Sequence, residues 1–392
     1  MNTKSFFVRP MPGRDKSESH RQATPLELFY DLVSVIAIAA AATELHHAIA
    51  ENHVIDGVIK FTLAFFAIWW AWMNFTWFAS AYDNDDAPYR IAVMVMMIGA
   101  LVFAAGIPYF FTSGSIPFGI IGYVIMRLAL VSLWLRAARH DPERRVTAYR
   151  YAIGITICQV LWVLGFFLMP TEGFIPFYLV MIVCELLVPA IAERAANTTW
   201  HKHHIVERYG LLVIIVLGES LLALSMAIQA TSDINFLQAD VLSWIGAGLM
   251  IVFAMWWLYF SETRHEALGA GSVGTGFLWG YGHFIIFASA TAVGAGLAAG
   301  VDVITGHAEV GRMVAIAAVT LPTAIYVFGL WIVHERFNAE GWLQREILPV
   351  TAVLIGLSSF LEEGVLITAG LLVVSLTLKL KYQVRREAVE VG

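Results

Sequence analysis

Apolar stretches long enough to cross a bilayer follow one another from residue 25 to residue 380, broken only by short polar loops. A helix needs about 20 mostly apolar residues to span a hydrocarbon core about 30 Å thick. The chain has 392 residues, of which 59% are hydrophobic and 14% charged. Ordinary soluble domains carry about 25% charged residues, and no soluble core of this size could hide so much apolar surface. The pattern predicts an all-α integral membrane protein of about twelve transmembrane helices, over 25–46, 57–80, 91–111, 117–137, 149–169, 176–193, 205–229, 241–261, 274–299, 312–334, 345–361 and 364–380. Only Glu362 and Glu363 separate the last two.

The basic residues give an orientation. Loops on the cytoplasmic side of a membrane are enriched in Lys and Arg. Lys4, Arg9, Arg14, Lys16 and Arg21 precede the first helix. Alternate loops then carry Arg90; Arg136, Arg139, Arg144, Arg145 and Arg150; Arg194, Lys202 and Arg208; Arg264; Arg336 and Arg345; and finally Lys379, Lys381, Arg385 and Arg386. The intervening loops are acidic or neutral instead, with Glu44, Glu51, Asp56, Glu172, Asp233, Asp240, Asp302 and Glu309; only Arg312 lies at an outer end, and Lys60 and Arg127 fall within helices. Both termini are therefore expected in the cytoplasm, and the location is the inner (plasma) membrane. The polar start has no apolar core or cleavage site, so it reads as a leader rather than a signal peptide.

The chain also looks duplicated. Trp69-Trp70 in the second helix is echoed by Trp256-Trp257 in the eighth, and Glu27 by Glu207 at the openings of the first and seventh. The expected organisation is a leader (1–21), a six-helix repeat (22–194), a linker (195–203), a second repeat (204–381) and a tail (382–392). An even number of helices makes the repeats parallel.

Ionisable groups inside a membrane are costly and mark candidate sites. Glu27 and Asp31 lie four apart, on one face of the first helix. Glu27 also suits a helix N-terminus behind Thr24-Pro25, whereas Asp31 is too deep for a cap. Trp69, Trp70, Trp72 and Trp77 with Asn74 form an aromatic brace on the second helix; it either packs the bundle or supports Asp31. Asp83, Asp85, Asp86 and Arg90, with Glu207 and Arg208, sit at the cytoplasmic mouth, as a cation funnel or a solvated turn. Arg127 and Glu185 fall mid-membrane and are expected to pair. Glu219 falls near the midplane beside Gly218, and His283 is a relay or a buried hydrogen-bonding residue.

Other chemistry is not signalled. The chain has no phosphate-binding glycine loop, nucleophile elbow or zinc-protease motif. Cys158 and Cys184, and the clusters His46, His47, His53 and His201, His203, His204, lack metal-ligand spacing. No cofactor, metal or nucleic acid is expected, and an enzyme is the lesser expectation.

"ATPLELFYDLVSVIAI", "WWAWMNFTWFASAYDNDD" and "HIVERYGLLVIIVLGES" closely resemble the bacterial low temperature requirement A (LtrA) family over about 20–380. Tyr30 and Ser34 replace residues that are often Phe there, and Asn84 one that is often Thr. The family name records a cold-growth phenotype and implies no activity. A weaker resemblance is to the endolysosomal potassium channel family, built from six-helix repeats. Phe29-Tyr30-Asp31 stands where that family has Phe-Ser-Asp, and Trp70 with Asn74 resembles its second-helix pattern. The second half here lacks the triplet. That likeness implies a pore lined by helices one and seven, and a homodimer to complete four repeats. The expected function is ion translocation, as a channel or transporter for protons or monovalent cations in a lipid membrane. The alternatives are a membrane-embedded enzyme or lipid- or small-molecule-binding protein in envelope stress adaptation, and a structural protein.

Overall fold

In a computed structural model of the chain, residues 8–15, 18, 21–170, 173–230, 238–261, 273–335 and 342–390 are described, without the side chains of 230, 273–275, 342–344 and 383–390. Lys4, Lys16, Glu172, Asp233, Arg264 and Arg336, used above for topology, lie outside the described residues, and so do the side chains of Arg385 and Arg386.

The described residues form α1 (Pro25–Ala50), α2 (Val54–Tyr82), α3 (Ala87–Ser113), α4 (Pro117–His140), α5 (Arg145–Leu168), α6 (Phe174–Ala192), α7 (Lys202–Ala230), α8 (Ala239–Ser261), α9 (Val273–Thr305), α10 (Arg312–Leu330), α11 (Trp342–Ser358) and α12 (Gly364–Glu390). A π-helical segment, Trp331–Glu335, continues α10. Eleven of these helices are long and apolar enough to cross a membrane, and the chain is a multi-pass membrane protein. The remaining helix, α11, has 17 residues. It stops at Ser358, three residues earlier than the sequence suggests. The α11–α12 return is therefore longer than Glu362-Glu363, and it is tight: a Cβ at Gly364 would lie 2.3 Å from the Ser358 carbonyl oxygen.

The chain divides into two compact units, residues 1–40 with 67–208, and 41–66 with 209–392. In unit 1, α3 packs on α4, α4 on α5 and α5 on α6. Glycines bring α3 and α4 close: a Cβ at Gly99 would lie 2.6 Å from the Gly122 carbonyl oxygen, and one at Gly122 2.5 Å from that of Gly99. Small residues let membrane helices approach to backbone contact in this way. Ile153, Ile157, Val160 and Leu164 on α5 and Leu179, Val183 and Leu187 on α6 are exposed, the apolar stripe that a bilayer would cover.

In unit 2 the succession is α9 on α10, α10 on α11 and α11 on α12, with α8 against α12. The α9–α10 contact is again made close by a glycine, Gly296, whose Cβ would lie 2.2 Å from the Ala318 carbonyl oxygen. The apolar window of α9 is 78% buried, which makes it the central helix of this unit.

Candidate functional site

The site begins with the start of α1. The Glu27 backbone N–H donates to Thr24 Oγ1 at 3.3 Å, and the Thr24 N–H donates to Glu27 Oε2 at 2.7 Å. This reciprocal capping box satisfies two N–H groups that a helix start leaves open, and Pro25 supplies a preset φ at the first helical position. Capping accounts for only part of the Glu27 carboxylate. His204 Nε2 lies 3.1 Å and Arg208 NH1 3.2 Å from Oε1, and Arg21 NH2 lies 3.6 Å away.

One turn deeper, Asp31 Oδ1 accepts from Trp72 Nε1 at 2.7 Å and from Arg208 NH2 at 2.5 Å. Its Oδ2 has no hydrogen-bond partner. One guanidinium thus bridges two carboxylates of α1. Glu27, Asp31, His204 and Arg208 are all 0% exposed. The Arg208 guanidinium also lies 6.0 Å from the Trp72 ring and 5.9 Å from the Phe75 ring, within range of a cation–π attraction. The structure therefore places Arg208 inside the bundle, against its expected place at the mouth. Glu207, its neighbour, is half-buried and accepts the Ala23 N–H.

Two of the mouth acids have a cation of their own, and the third, Asp83, shares Arg21 with Glu27. Asp83 lies 3.9 Å from Arg21 NH2. Arg21 also donates to the last carbonyls of α2, to Ala79 at 2.6 Å and to Ser80. Burial pushes the Asp83 carboxyl up to about 6, and the nearby Glu27 charge adds to the shift while Arg21 opposes it. Burial also draws the Arg21 guanidinium below its usual range, with Glu27 opposing. Asp85 pairs with Arg90 at 2.7 Å on the surface. Asp86 caps α3 by accepting the Tyr89 N–H at 3.1 Å, and it pairs with Arg136. Burial acts to raise the Asp86 carboxyl, but the hydrogen bonds from Arg136 and from the Arg9 and Tyr89 N–H groups outweigh it and hold the group below its ordinary value. A cation funnel needs uncompensated acids, and Asp85 and Asp86 do not supply them.

A second buried network lies on the other side of α2. Arg127 NH2 donates to Glu185 Oε2 at 3.0 Å and to Tyr123 Oη at 3.2 Å, and Trp70 Nε1 donates to the same Glu185 oxygen at 2.8 Å. The mid-membrane charges thus pair with each other. The aromatic brace is divided between roles. Trp72 serves Asp31 and Trp70 serves Glu185. Trp69 meets Trp70 with the ring planes tilted by 45° and the centroids 5.8 Å apart, and Trp77 meets Trp200 at 5.0 Å. Asn74 donates to the Trp70 carbonyl of its own helix at 2.7 Å and holds no acid. The matching pair in the other half, Trp256 and Trp257, is 46% and 49% exposed, so the two pairs sit in different surroundings.

Glu219 and His283 lie in unit 2. Glu219 is half-buried, with no hydrogen bond or ion pair among the described residues. Gly218 beside it would have nothing within 4 Å of a Cβ, so it does not mark a close helix approach. The close approach falls on the next residue instead, where a Cβ at Gly294 would lie 2.8 Å from Ser220. His283 is fully buried, with Nδ1 2.7 Å from the Trp279 carbonyl and Nε2 3.1 Å from Tyr259 Oη.

His204 and Arg21 were absent from the sequence-level candidates. The usable signal was the spacing of His204 and Arg208, four apart on α7 and hence on one face. Among the described residues no group of three or more His, Cys, Asp or Glu could hold a metal ion.

The family model described as bacterial low temperature requirement A protein (LtrA) matches residues 22–379. An uncharacterized protein of Rhizobium meliloti (strain 1021) is 25% identical over 264 residues, 65% of this chain and 62% of that protein. The chain thus spans less than two thirds of the length of the curated relative that it matches.

Proposed function

The chain belongs to the bacterial low temperature requirement A family, and from that premise we propose that it moves protons or monovalent cations across the inner membrane, along a path that includes α1 and α7. The observation that carries this reading is the charge balance of the buried cluster in unit 1. Glu27, Asp31 and Asp83 face two guanidinium groups, Arg21 and Arg208. Three carboxylates against two fixed cations leave one negative charge, to be met by a proton, on a carboxylate or on His204 3.1 Å from Glu27, or by a monovalent cation. Buried charge without compensation is strongly unfavourable, so such a site favours an exchangeable unit positive charge.

The bridge supplies a means of exchange. Arg208 holds Glu27 through NH1 and Asp31 through NH2. When one carboxylate is neutralised the guanidinium stays paired with the other, so charge can move between them without leaving either ion bare. Asp31 Oδ2, free of partners, is the oxygen open to an incoming proton or ion. Glu219 adds an unpaired carboxylate three turns further along α7.

The remaining features of the reading concern assembly. The matching succession of helix contacts in the two units, with a glycine-mediated first contact in each, supports two parallel six-helix repeats. Two chains would then supply four repeats. The distribution of Lys and Arg favours cytoplasmic termini.

Flux in liposomes containing the purified protein tests the proposal, with a proton dye and separate K⁺ and Na⁺ gradients. Selective flux is expected, reduced at least tenfold in a folded Asp31→Asn protein. No flux of any of these ions at several pH values and voltages would overturn it.

A further inference from the structure

The arginines of unit 1 fall into two groups. Most lie beside a carboxylate, as Arg21, Arg127, Arg136 and Arg208 do. Arg139, Arg145, Arg150 and Arg194 are exposed and make no ion pair among the described residues. The acids near them in sequence are engaged by other groups. Asp141 and Glu143 lie 3.3 and 3.0 Å from Arg144. Glu193 accepts from the Tyr151 hydroxyl at 2.9 Å and from the Thr198 hydroxyl and N–H at 2.8 Å.

Two of these four cations stand at the end of one groove. Along α5, Arg150 meets Ile191, a Cβ at Gly154 would lie 2.9 Å from Val188, and Trp162 meets Tyr178 with ring centroids 4.8 Å apart. The order reverses along α6, so the helices are antiparallel and the start of α5 lies beside the end of α6. Arg150 NH1 donates to the Ile191 carbonyl at 3.2 Å. Ile191 is next to the last residue of α6, so the bond satisfies one of the carbonyls that a helix end leaves open. It ties the guanidinium to the groove and leaves its other N–H groups for a ligand. Arg194 follows two residues after α6 ends. Below the two cations Ile153 and Ile157 of α5 and Leu187 and Ile191 of α6 are exposed.

Helix lengths set the depth of this site. The last residues of α5, Phe167 and Leu168, are each 74% exposed and belong in hydrocarbon. About 20 residues span the core, and counting back from Leu168 reaches Tyr149. Tyr149 and Arg150 therefore stand at headgroup level, where tyrosine is enriched and an arginine can lay its stem along apolar surface. The 19 residues of α6 cover about 28 Å at about 1.5 Å per residue, so Arg194 falls just beyond the core. Guanidinium groups bind phosphate through paired, charge-assisted hydrogen bonds. We infer that the α5–α6 groove binds an anionic phospholipid, its phosphate held by Arg150 and Arg194 and an acyl chain lying along Ile153, Ile157, Leu187 and Ile191. A soluble phosphate ester would meet the two cations but leave the groove uncovered. Lipid binding here does not require that the protein move ions.

Native mass spectrometry of the full chain in detergent tests the site, with titrations of phosphatidylglycerol and of phosphatidylcholine carrying the same acyl chains. The native protein is expected to bind phosphatidylglycerol roughly tenfold more tightly. Arg150→Gln with Arg194→Gln should abolish that preference. Arg139→Gln with Arg145→Gln removes the same charge from the α4 side of α5, where Arg145 donates to the Ala138 carbonyl at 3.1 Å, and should leave the preference intact. Should the first pair of changes prevent folding, Arg194→Gln alone, which removes no hydrogen bond among the described residues, is expected to lower the preference severalfold. Equal affinity of the native protein for the two lipids, a preference that survives loss of Arg150 and Arg194, or an equal loss in the α4-side variant would overturn the site. Displacement of the lipid by free glycerol phosphate at the same concentration would show a site for soluble phosphate and would overturn it as well.

Discussion

At the scale of the residue, Arg127 and Glu185 show how strongly burial constrains a charge. Both are 3% exposed and share one contact at 3.0 Å. Removing one partner of a buried pair costs about 3–5 kcal/mol, whereas replacing both by groups of similar shape is often close to neutral. Arg127→Met is therefore expected to lower the unfolding midpoint in detergent sharply, and adding Glu185→Gln should recover most of the loss. Independent, additive effects would mean that the two side chains do not depend on each other. Asp83 gives a pH dependence. Its folded-state value of about 6 lies above the ordinary 3.8, so its contribution to stability is fully present below about pH 4 and is lost as pH rises through 6. Relative to the native protein, Asp83→Asn should gain up to about 3 kcal/mol between pH 4 and pH 7.5. Parallel melting curves across that range would contradict the assignment. The Arg127–Glu185 pair was legible in the sequence, because neither charge could stand alone in hydrocarbon. The partner of Asp31 was not, since any of several bases could have reached it.

At the scale of the element, α2 carries two networks on opposite sides. Trp70 and Trp72 are two residues apart, about 200° around a helix at about 100° per residue. They reach Glu185 on α6 and Asp31 on α1, respectively. Periodicity marks both as inward-facing only when helices flank α2 on both sides, and a sequence does not say which neighbour takes which face. Packing between α3 and α4 is decided by absence of side chains. A Cβ at Gly122 would meet the Gly99 carbonyl oxygen at 2.5 Å and the Phe103 backbone nitrogen at 2.6 Å. Gly122→Ala should therefore destabilise the protein, while Gly246→Ala on α8, with nothing within 4 Å, should be neutral or stabilising by up to about 1 kcal/mol from helix propensity alone. Equal shifts in melting temperature for the two variants would argue against backbone contact at the α3–α4 crossing.

At the scale of the whole molecule, the proposal makes a statement about topology and assembly. Single cysteines placed in the 141–144 loop and at Asn52, in a background with Cys158 and Cys184 replaced, should label from opposite sides of sealed vesicles, with the loop cytoplasmic. Labelling of both from one side would overturn the helix count across the first half. Native mass spectrometry in detergent is expected to give a mass of two chains; a strict monomer would remove the four-repeat pore and leave any path within a single chain.

The sequence alone determined that this chain crosses a membrane many times, because length and apolar content are properties of each segment separately. It also identified the acids of α1 and the mid-membrane charges, because desolvation makes a buried ion conspicuous wherever it occurs. Only the tertiary structure decided that Arg208 bridges Glu27 and Asp31, that His204 and Arg21 join them, that Asp85 and Asp86 are already paired, and that Arg150 and Arg194 have no carboxylate partner among the described residues. Those facts depend on which helix faces which. That choice is made by shape, by where glycines let backbones meet, and by the partners available in three dimensions, none of which is written in any one segment.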